Sequence, residues 1–518
     1  MSPSAATESG RRSQRRPLTE SKGRLVVASN RLPIVLQRDG QDRWSAAPGA
    51  GGLVSAMTPV LRHRGGIWVG WPGVPSEENA DLDGALATVS REGGFSYQPV
   101  ALGRQEVEGF YLGFSNEIIW PLFHDMPSRC TYEPSYWEHY LVANRRFAQT
   151  LAETCRADDY LWVHDYHLMS TGAMLKARGY PGDIGFFLHI PFPADEIFLQ
   201  LPWRRQIIRD LAGYDLIGFQ TQRDRRNFLA CMRMLFPGTQ VVGKGHVVSV
   251  RIPLSGDWRR LRAGVFPISI DYRALAQRAR SEGVARQCAR IRADLQGRAI
   301  VLGVDRLDYT KGLPHRLRAF RSLLRRHPEM HERITLIQHV VPSRESIPEY
   351  DKLRHEIDYL VSEINGEFTL SGWVPIHYVS RNLQIDELVA YYRAADVMLV
   401  TSLKDGMNLV AKEFVASQVD RDGVLILSEF AGAAAQLQKG AMLVNPHDEV
   451  GVADSLLQAL RMPPEERRAR MQKLRRAVRE LDIFRWVDAF LGAAIDKDLN
   501  HFPLQADYIP LNDWAEVM

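Results

Sequence analysis

The sequence lacks the features that define several classes of protein. Its 518 residues include only four cysteines, none in a CxxC pair, which favours a reduced, cytoplasmic protein over a disulfide framework or a zinc module. It has no apolar run of about 18 residues, and its polar beginning contains no apolar segment, so we expect no membrane span and no secretory signal. An excess of one charge is also missing, because 65 lysines and arginines face 61 aspartates and glutamates, which gives no indication of a nucleic-acid partner.

Short apolar runs alternate with longer helical patterns along the chain, in two successive sets. A chain of 518 residues is longer than chains that form a single hydrophobic core usually are, so the two sets of runs predict two domains. The runs are apolar throughout, as is typical of parallel strands covered by helices on both faces. The first set lies at 25–29, 160–163, 184–190 and 215–221, and the second at 299–304, 334–341, 396–400, 423–427 and 441–445.

These patterns predict an α/β protein of two facing, doubly wound, Rossmann-like domains. The first domain would span 25–262 and the second 263–483, with a stretch rich in Gly, Arg and Pro near 254–268 between the two sets of runs. An arginine-rich arm at 1–24 has little to bury and is expected to be disordered, and the C-terminal segment at 484–518 is expected to pack back on the first domain. Ligands of such sheets bind outside the carboxyl ends of the strands, so we expect the active site in the interdomain cleft.

Two basic residues follow the first strand of the second domain. Arg306 and Lys311 lie in a turn that leads into a helical pattern, where a guanidinium and an ammonium together can neutralise a diphosphate. A divalent ion held by Asp305 and Asp308 is disfavoured by the cations beside them. A pair of solvated surface charges is the alternative, although a position at a strand end favours an anion site.

The histidines of the HDYH motif do not indicate a metal site. His164 and His167 follow a strand rather than standing on a helix, and no cysteine accompanies them. Asp165 and His189 also stand at strand ends, where a helix-capping aspartate and a core histidine are the alternatives to a functional role. All four lie at the expected carboxyl edge of the first sheet.

A turn and a helix follow the third strand of the second domain. Backbone N–H groups of residues 405–408 are able to hold phosphate or sugar hydroxyls. Asp405 and Glu413 are too far apart for a local acid/base pair, so each is expected to accept hydrogen bonds from a ligand; a helix cap and a solvated glutamate are the alternatives. Gly51 and Gly52 form a loop where backbone can approach a phosphate closely, but no GxGxxG follows the first strand, which argues against an oxidoreductase.

Eight longer motifs contain these residues: SNRLP (29–33), AGGL (50–53), WVGWPG (68–73), VHDYHL (163–168), FFLHIPFP (186–193), GFQT (218–221), VDRLDYTKG (304–312) and DGMNLVAKEF (405–414). In this order they resemble glycosyltransferase family 20, the retaining glycosyltransferases that make trehalose 6-phosphate. The resemblance runs from about residue 25 to about residue 490. It implies the GT-B architecture, two facing Rossmann-like domains, which agrees with the pattern of strands.

The resemblance also implies a reaction, the transfer of glucose with retention from UDP-, GDP- or ADP-glucose to glucose 6-phosphate, without a metal ion or cofactor. It implies catalytic roles for Asp165, His189, Arg306 and Lys311. Donor binding would fall to Gly52, His189, Arg306, Lys311, Asp405, Gly406, Met407, Asn408, Leu409 and Glu413. Acceptor binding would fall to Arg31, Trp71, Tyr111, Trp120, Asp165 and Arg344.

Individual roles follow from the same resemblance. Arg306 and Lys311 would hold the donor diphosphate, and Glu413 would bind the nucleotide ribose. Arg31 and Arg344 would hold the acceptor phosphate with help from tyrosine 111, while two tryptophans, at 71 and 120, would shape the acceptor pocket. For these tryptophans, simple core packing is the alternative.

Few departures from the family's pattern are visible. Residues 401–404 read TSLK where TPLR is usual, and the nucleobase pocket near Val340 and Leu409 is not distinctive, which leaves the donor base open. Alternatives are a transferase for another phosphorylated acceptor, such as glucosylglycerol-phosphate synthase, a pseudo-glycosyltransferase, or a noncatalytic regulatory subunit. The expected partners are the two substrates, further copies of the chain in a dimer or tetramer, and a separate trehalose-6-phosphate phosphatase; no nucleic acid and no membrane are expected.

Overall fold

The structure is a computed structural model that describes residues 23–38, 44–49, 52–78, 82–254, 257–342, 347–420 and 423–495. Most of the expected arm at 1–24, the part of the C-terminal segment at 496–518, and Arg344 lie outside the described residues. Within the described ranges, no helix combines the length and the apolar character that crossing a membrane requires.

Two large sheets form the framework. The strands are β1 (Leu25–Arg31), β2 (Ile34–Arg38), β3 (Trp44–Pro48), β4 (Ile67–Trp71), β5 (Ser96–Pro99), β6 (Tyr160–His164), β7 (Ile184–Phe187), β8 (Leu216–Phe219), β9 (Gln240–Val242), β10 (Val247–Leu254), β11 (Asp257–Val265), β12 (Ala299–Arg306), β13 (Ile334–Val341), β14 (Ile376–Ser380), β15 (Val397–Val400), β16 (Val424–Ser428) and β17 (Met442–Val444). The first sheet has the order β5-β4-β1-β6-β7-β8-β11-β10-β9, and the second has the order β14-β13-β12-β15-β16-β17. A small antiparallel hairpin pairs β2 with β3.

The second sheet is parallel throughout, and the first is parallel from β5 to β11. Their central strands are buried along nearly their whole length, as continuous apolar runs require. The predicted α/β class with two doubly wound, Rossmann-like sheets is confirmed. All nine predicted apolar runs correspond to strands of these two sheets.

The helices alternate with the strands along the chain. They are α1 (Gly52–Arg64), α2 (Asp83–Gly93), α3 (Arg104–Glu106), α4 (Trp120–Phe123), α5 (Pro134–Thr154), α6 (Thr171–Ala177), α7 (Asp195–Phe198), α8 (Arg204–Leu211), α9 (Gln222–Leu235), α10 (Tyr272–Ala279), α11 (Glu282–Asp294), α12 (Leu313–Arg326), α13 (Pro348–Phe368), α14 (Ile385–Ala394), α15 (Leu409–Ser417), α16 (Ala434–Leu437), α17 (Glu449–Arg461), α18 (Pro464–Glu480) and α19 (Ile483–Ile495). Short 3₁₀ turns occur at Ser76–Glu78, Pro127–Arg129, Tyr166–Leu168, Tyr309–Lys311 and Pro328–Met330.

The stretch near 254–268 differs from its prediction as a break between the two sets of strands. Most of it is β11, which pairs in parallel with β8 and in antiparallel fashion with β10. The strand carries three arginines and an aspartate because it belongs to a partly exposed hairpin, so it shows no continuous apolar run. Charged side chains interrupt the apolar run of this strand, so a search for apolar runs does not find it.

A π-helix at Val107–Ile119 lies between α3 and α4 in the first domain. Two of its glycines pack directly on aromatic rings, since a Cβ on Gly109 would stand 2.4 Å from His139 and one on Gly113 would stand 2.6 Å from Tyr136. π-Helices are rare and are frequently found at functional sites. This one carries a side chain of the predicted acceptor set, tyrosine 111, and ends next to tryptophan 120.

The C-terminal segment is described as far as Ile495, and its helix α19 lies on the first sheet. The ring of Phe490 stacks on Trp162 of β6 at a centroid distance of 4.2 Å. The indole N–H of Trp486 donates to the carbonyl of Phe266 at 2.9 Å, and the Arg262 guanidinium donates to the carbonyl of Ala493. The chain therefore returns from the second sheet to the first before residue 496.

Replacing Phe490 by Ala should lower the free energy of unfolding by about 3–5 kcal/mol, because a fully buried ring would leave a cavity beneath β6. The matched control is Val450→Ala on α17, where the side chain is 51% exposed and the expected change is below about 0.5 kcal/mol. Urea unfolding followed by tryptophan fluorescence measures both. Equal effects of the two substitutions would contradict the packing of α19 on the first sheet.

Candidate active site

The predicted site residues gather where the carboxyl edges of the two sheets face each other. Arg31 ends β1, Trp71 ends β4, and His189 follows β7 by two residues. On the opposite side, Arg306 ends β12 and the turn at 405–408 follows β15. Parallel strands bring their carboxyl ends to one edge, which is why residues far apart in the sequence meet here.

The two edges touch through their backbones. A Cβ on Gly406 would lie 2.1 Å from the carbonyl oxygen of His189, and one on Gly432 would lie 1.9 Å from the carbonyl oxygen of Gly406. No side chain larger than hydrogen fits at either position. The turn after β15 therefore sits directly against the segment after β7.

Backbone strain is concentrated at this edge. Among the described residues, five other than glycine have a positive φ, and three of these, Asp125, Asp165 and Asn408, lie at the cleft. Asp and Asn tolerate the left-handed region better than other residues, and such conformations cluster at functional sites.

A buried charge pair joins two loops of the second domain. Lys311 Nζ lies 2.6 Å from Asp405 Oδ2, and the two side chains are only 12% and 13% exposed. The same carboxylate oxygen accepts hydrogen bonds from Asn408 Nδ2 at 3.1 Å and from Ser402 Oγ at 3.3 Å. Burial by itself would raise the pKa of Asp405, but the Lys311 charge and these hydrogen bonds outweigh burial and hold the pKa below its ordinary value.

The helix that follows is capped by Asn408, whose Oδ1 accepts the N–H of Ala411 at 2.9 Å. Asp405 is therefore not the helix cap, which was the alternative to a ligand role. Glu413 is half-buried rather than solvated, and its Oε2 accepts a hydrogen bond from the hydroxyl of Tyr392 at 3.0 Å. Burial raises the pKa of Glu413.

Arg306 is the more accessible of the two predicted diphosphate ligands. Its side chain is 50% exposed, the carboxylate of Asp308 lies 3.9 Å from it, and its guanidinium lies over the ring of Trp120 at 5.8 Å. Asp305, by contrast, points into the core and pairs with the fully buried Arg316 at 2.5 Å. Arg306 thus presents its donors to the cleft while the neighbouring aspartate is engaged elsewhere.

The side-chain carboxylate of Asp165 contacts the backbone of His189. The N–H of His189 donates to Asp165 Oδ1 at 3.2 Å, and the N–H of Asp165 donates to the carbonyl of Phe187 at 2.8 Å. The His189 ring contacts His164, whose Nδ1 lies 3.1 Å from His189 Nε2. Burial lowers the pKa of His189 to about 3, so the ring is neutral near pH 7.

Three of the predicted acceptor residues, Arg31, Trp71 and Tyr111, lie together on the first domain. Arg31 is exposed and lies over the ring of Trp71 at 5.2 Å, next to Gly73, where a Cβ would stand 2.0 Å from the guanidinium. The ring of Tyr111 is 6.4 Å from that of Trp71 and stacks on His167 at 5.8 Å. Both predicted tryptophans are buried, so they pack in the core and also carry a guanidinium on one face.

The remaining predicted donor residues lie on both sides of the cleft. Gly52 is the first residue of α1, and Leu409 is the first residue of α15. Met407 is buried within the turn between β15 and α15. These positions were predicted from the family resemblance alone, because the beginning of a helix or a buried turn also occurs in proteins without a ligand at that place.

Two further features were not predicted from the sequence. Lys404, noted only as a departure from the usual TPLR, forms an ion pair across the cleft with Asp125 at 2.6 Å. His124 is buried beside the cleft, its Nδ1 lies 2.7 Å from the carbonyl of Trp120, and burial lowers its pKa to about 4. The departure from TPLR at Lys404 was a signal in the sequence for the ion pair. His124 belongs to none of the motifs, so no signal in the sequence indicated it.

Two Rossmann-like domains that face each other across such a cleft define the GT-B class of glycosyltransferases. The chain belongs to glycosyltransferase family 20, whose model matches residues 23–495.

Individual relatives and solved structures resemble the chain over nearly its whole length. The trehalose-6-phosphate synthase of Mycolicibacterium gilvum is 45% identical over 92% of this chain and 95% of its own, and that of Mycobacterium leprae is 46% identical over 90% and 94%. A Burkholderia xenovorans α,α-trehalose-phosphate synthase (UDP-forming), solved with glucose-6-phosphate, is 35% identical with a TM-score of 0.81 over 90% of this chain and 99% of that one. A structure from E. coli bound with UDP-2-fluoro glucose is 35% identical with a TM-score of 0.80 over 91% and 99%.

Replacing Lys311 by Met should remove the charge that lowers the pKa of Asp405 and so destabilise the folded chain at neutral pH. Since the folded pKa is lowered, the pair stabilises the protein above about pH 4, the ordinary aspartate value, and this contribution is lost as the pH falls through the folded value. We expect the variant to lose about 3 kcal/mol at pH 7, and the difference to shrink as the pH falls, first through the raised pKa of Asp405 in the variant and then through its lowered pKa in the wild type. Urea unfolding across this range measures it, with the exposed Lys439→Met as control; a pH-independent difference would contradict the assignment.

Proposed function

We propose that this chain is a trehalose-6-phosphate synthase, which transfers glucose from a nucleotide-glucose to glucose 6-phosphate with retention and gives α,α-trehalose 6-phosphate. One observation carries the proposal: cationic side chains stand on both walls of one cleft, Lys311 and Arg306 on the second domain and Arg31 on the first. A donor diphosphate and an acceptor phosphate both require such groups. The names of the relatives support the same reaction.

The second domain, at 263–483, would bind the donor. Lys311 and Arg306 bind the diphosphate, and the backbone N–H groups of the turn at 405–409 bind phosphate and sugar hydroxyls. Glu413, which keeps one oxygen on Tyr392, binds the ribose with the other. Gly52, at the start of α1, closes over the diphosphate from the first domain.

The first domain, at 25–262, would bind the acceptor. Arg31, held on the face of Trp71, binds the phosphate of glucose 6-phosphate together with Arg344. Tyr111 reaches the same pocket from the π-helix and assists them. Tryptophan 120, which also lies under Arg306, places the acceptor next to the donor diphosphate.

Chemistry in this cleft depends on stabilising the departing diphosphate. Its negative charge grows as the transition state acquires oxocarbenium character, so the fixed Lys311 ammonium and the Arg306 guanidinium lower the barrier. Asp165 is hydrogen-bonded to the backbone of His189 and orients that segment beside the acceptor. The departing phosphate oxygen takes the acceptor proton on the same face of the sugar, which retains the anomeric configuration.

The assembly and pathway of the chain follow from the same proposal. The product keeps its phosphate, so a separate phosphatase is required to release free trehalose. A homo-oligomer, a dimer or tetramer, is the expected assembly. A cytoplasmic setting fits substrates that are nucleotide sugars and sugar phosphates.

Nucleotide release from UDP-, GDP- and ADP-glucose, each with glucose 6-phosphate or glycerol 3-phosphate, tests the proposed function. We expect release that depends on glucose 6-phosphate, with a product of the mass of a disaccharide phosphate. Release that requires glycerol 3-phosphate would reassign the acceptor, and absence of turnover with every pair would favour a noncatalytic subunit.

Replacing Arg306 by Ala should lower kcat by about 10²- to 10³-fold, because one of the two cations that stabilise the leaving diphosphate is lost. The half-exposed side chain makes the fold insensitive to its removal. The matched control is Arg298→Ala. Arg298 directly precedes β12, at the end of the strand opposite to Arg306, and its replacement should keep kcat within about twofold. Steady-state kinetics with saturating substrates measures both, and unchanged turnover in Arg306→Ala would refute the donor assignment.

Replacing Arg31 by Ala should raise the KM for glucose 6-phosphate about 10- to 100-fold, because a charged hydrogen bond to phosphate is lost. The KM for the nucleotide-glucose should stay within about twofold, since Arg31 lies on the acceptor side. Arg38→Ala removes another guanidinium stacked on a tryptophan, Trp44, outside the acceptor set, and serves as control. An unchanged acceptor KM would place the phosphate elsewhere in the cleft.

A further inference from the structure

His164 and His189 form a direct contact that no role assigned so far uses. His164 ends β6, and His189 follows the neighbouring parallel strand β7, in which Phe187 is paired with His164. The ring centroids are 5.3 Å apart at an interplanar angle of 28°, and His164 Nδ1 lies 3.1 Å from His189 Nε2. At this distance the two nitrogens share one hydrogen bond.

Both rings are neutral near pH 7. His164 is fully buried among three aromatic rings, with centroid distances of 4.7 Å to Trp162, 6.3 Å to Trp486 and 6.5 Å to Phe187. Burial lowers the pKa of His164 well below its ordinary value and that of His189 to about 3. One ring must therefore donate an N–H and the other must accept it.

The surroundings of His164 decide which ring is the donor. Its second nitrogen, Nε2, is buried and has no hydrogen-bond partner among the described residues. A buried N–H without an acceptor is rarer in proteins than an unused lone pair. The proton of His164 is therefore on Nδ1, and it is donated to Nε2 of His189.

This assignment fixes the state of His189. With Nε2 accepting, the neutral His189 ring carries its proton on Nδ1, which has no hydrogen-bond partner in the described part of the chain. The rest of the residue is already held, because its backbone N–H donates to Asp165 and its carbonyl lies against Gly406. The Nδ1–H group of His189 is therefore available to donate a hydrogen bond to a ligand.

We propose that His164 is a positioning residue that fixes His189 in the Nδ1-protonated form, so that His189 offers a hydrogen-bond donor to a hydroxyl of the donor sugar. The inference rests on the proposed function, in which His189 contacts that sugar. The partner of one histidine nitrogen sets which of its two nitrogens carries the proton. Without His164, the His189 proton is free to move to Nε2, and the ring then presents an acceptor instead.

Two substitutions of His164 separate the hydrogen bond from packing. In His164→Asn the side-chain amide N–H occupies the place of Nδ1–H, whereas His164→Leu fills a similar volume without a donor. We expect His164→Leu to lower kcat about 10- to 100-fold with the KM for glucose 6-phosphate within about twofold, and His164→Asn to keep kcat within about fivefold.

Nitrogen-15 NMR of histidine-labelled protein reports the tautomer directly. His189 is assigned by the signal lost in His189→Gln, and we expect a protonated Nδ1 in the wild type and in His164→Asn, but a population with protonated Nε2 in His164→Leu. A purely structural role would lower the melting temperature of both variants without changing the tautomer of His189, and this result would overturn the proposal.

The wild-type spectrum keeps the test decisive where a variant does not fold, since a protonated Nε2 on His189 in the wild type would by itself refute the inference. The kinetic and spectroscopic readouts also separate the two proposals. A wild-type protein that does not use glucose 6-phosphate would refute the proposed function, whereas its NMR spectrum would still decide the role of His164.

Discussion

The close approach of two backbones, at Gly406 and His189, is the constraint on which the rest of the site depends. A Cβ at Gly406 would stand 2.1 Å from the His189 carbonyl oxygen, so the turn after β15 packs this closely on the segment after β7 only with glycine at this position. That fit sets the separation of the two sheet edges. It thereby sets the distance between the cations on the second domain and the acceptor residues on the first.

Around this contact, the charged side chains of the cleft are already in position before a ligand binds. The ammonium of Lys311 is fixed by Asp405, whose other hydrogen bonds come from its own loop, so it needs little rearrangement when a diphosphate arrives. Arg306 lies near a distant carboxylate, that of Asp308, and on the face of a tryptophan, and its side chain is half exposed to the cleft. The ion pair between Lys404 and Asp125 holds the two walls together next to these groups.

Strand positions and the two-domain fold were predictable because buried parallel strands are continuous apolar runs, as in β12 and β13. β11 was not, because three arginines interrupt its apolar run, and two of them, Arg259 and Arg262, donate hydrogen bonds to neighbouring segments of the protein. At the site, the motifs predicted residues that come together, but they did not predict the contacts between them. Asn408 rather than Asp405 caps α15, and His189 contacts His164. Both contacts depend on side-chain directions that packing sets. The π-helix at Val107–Ile119 is equally invisible to periodicity, since its spacing depends on glycines packed against aromatic rings.

The anomeric configuration of the product tests the central claim most directly, namely that stabilising a departing diphosphate between the two walls lets the acceptor bind on the face it leaves. Proton NMR of the disaccharide phosphate formed from UDP-glucose and glucose 6-phosphate gives the configuration at both anomeric carbons. The account predicts an α linkage on both sides, with the donor carbon retained. A β configuration at the donor carbon would show attack from the opposite face and would contradict the account.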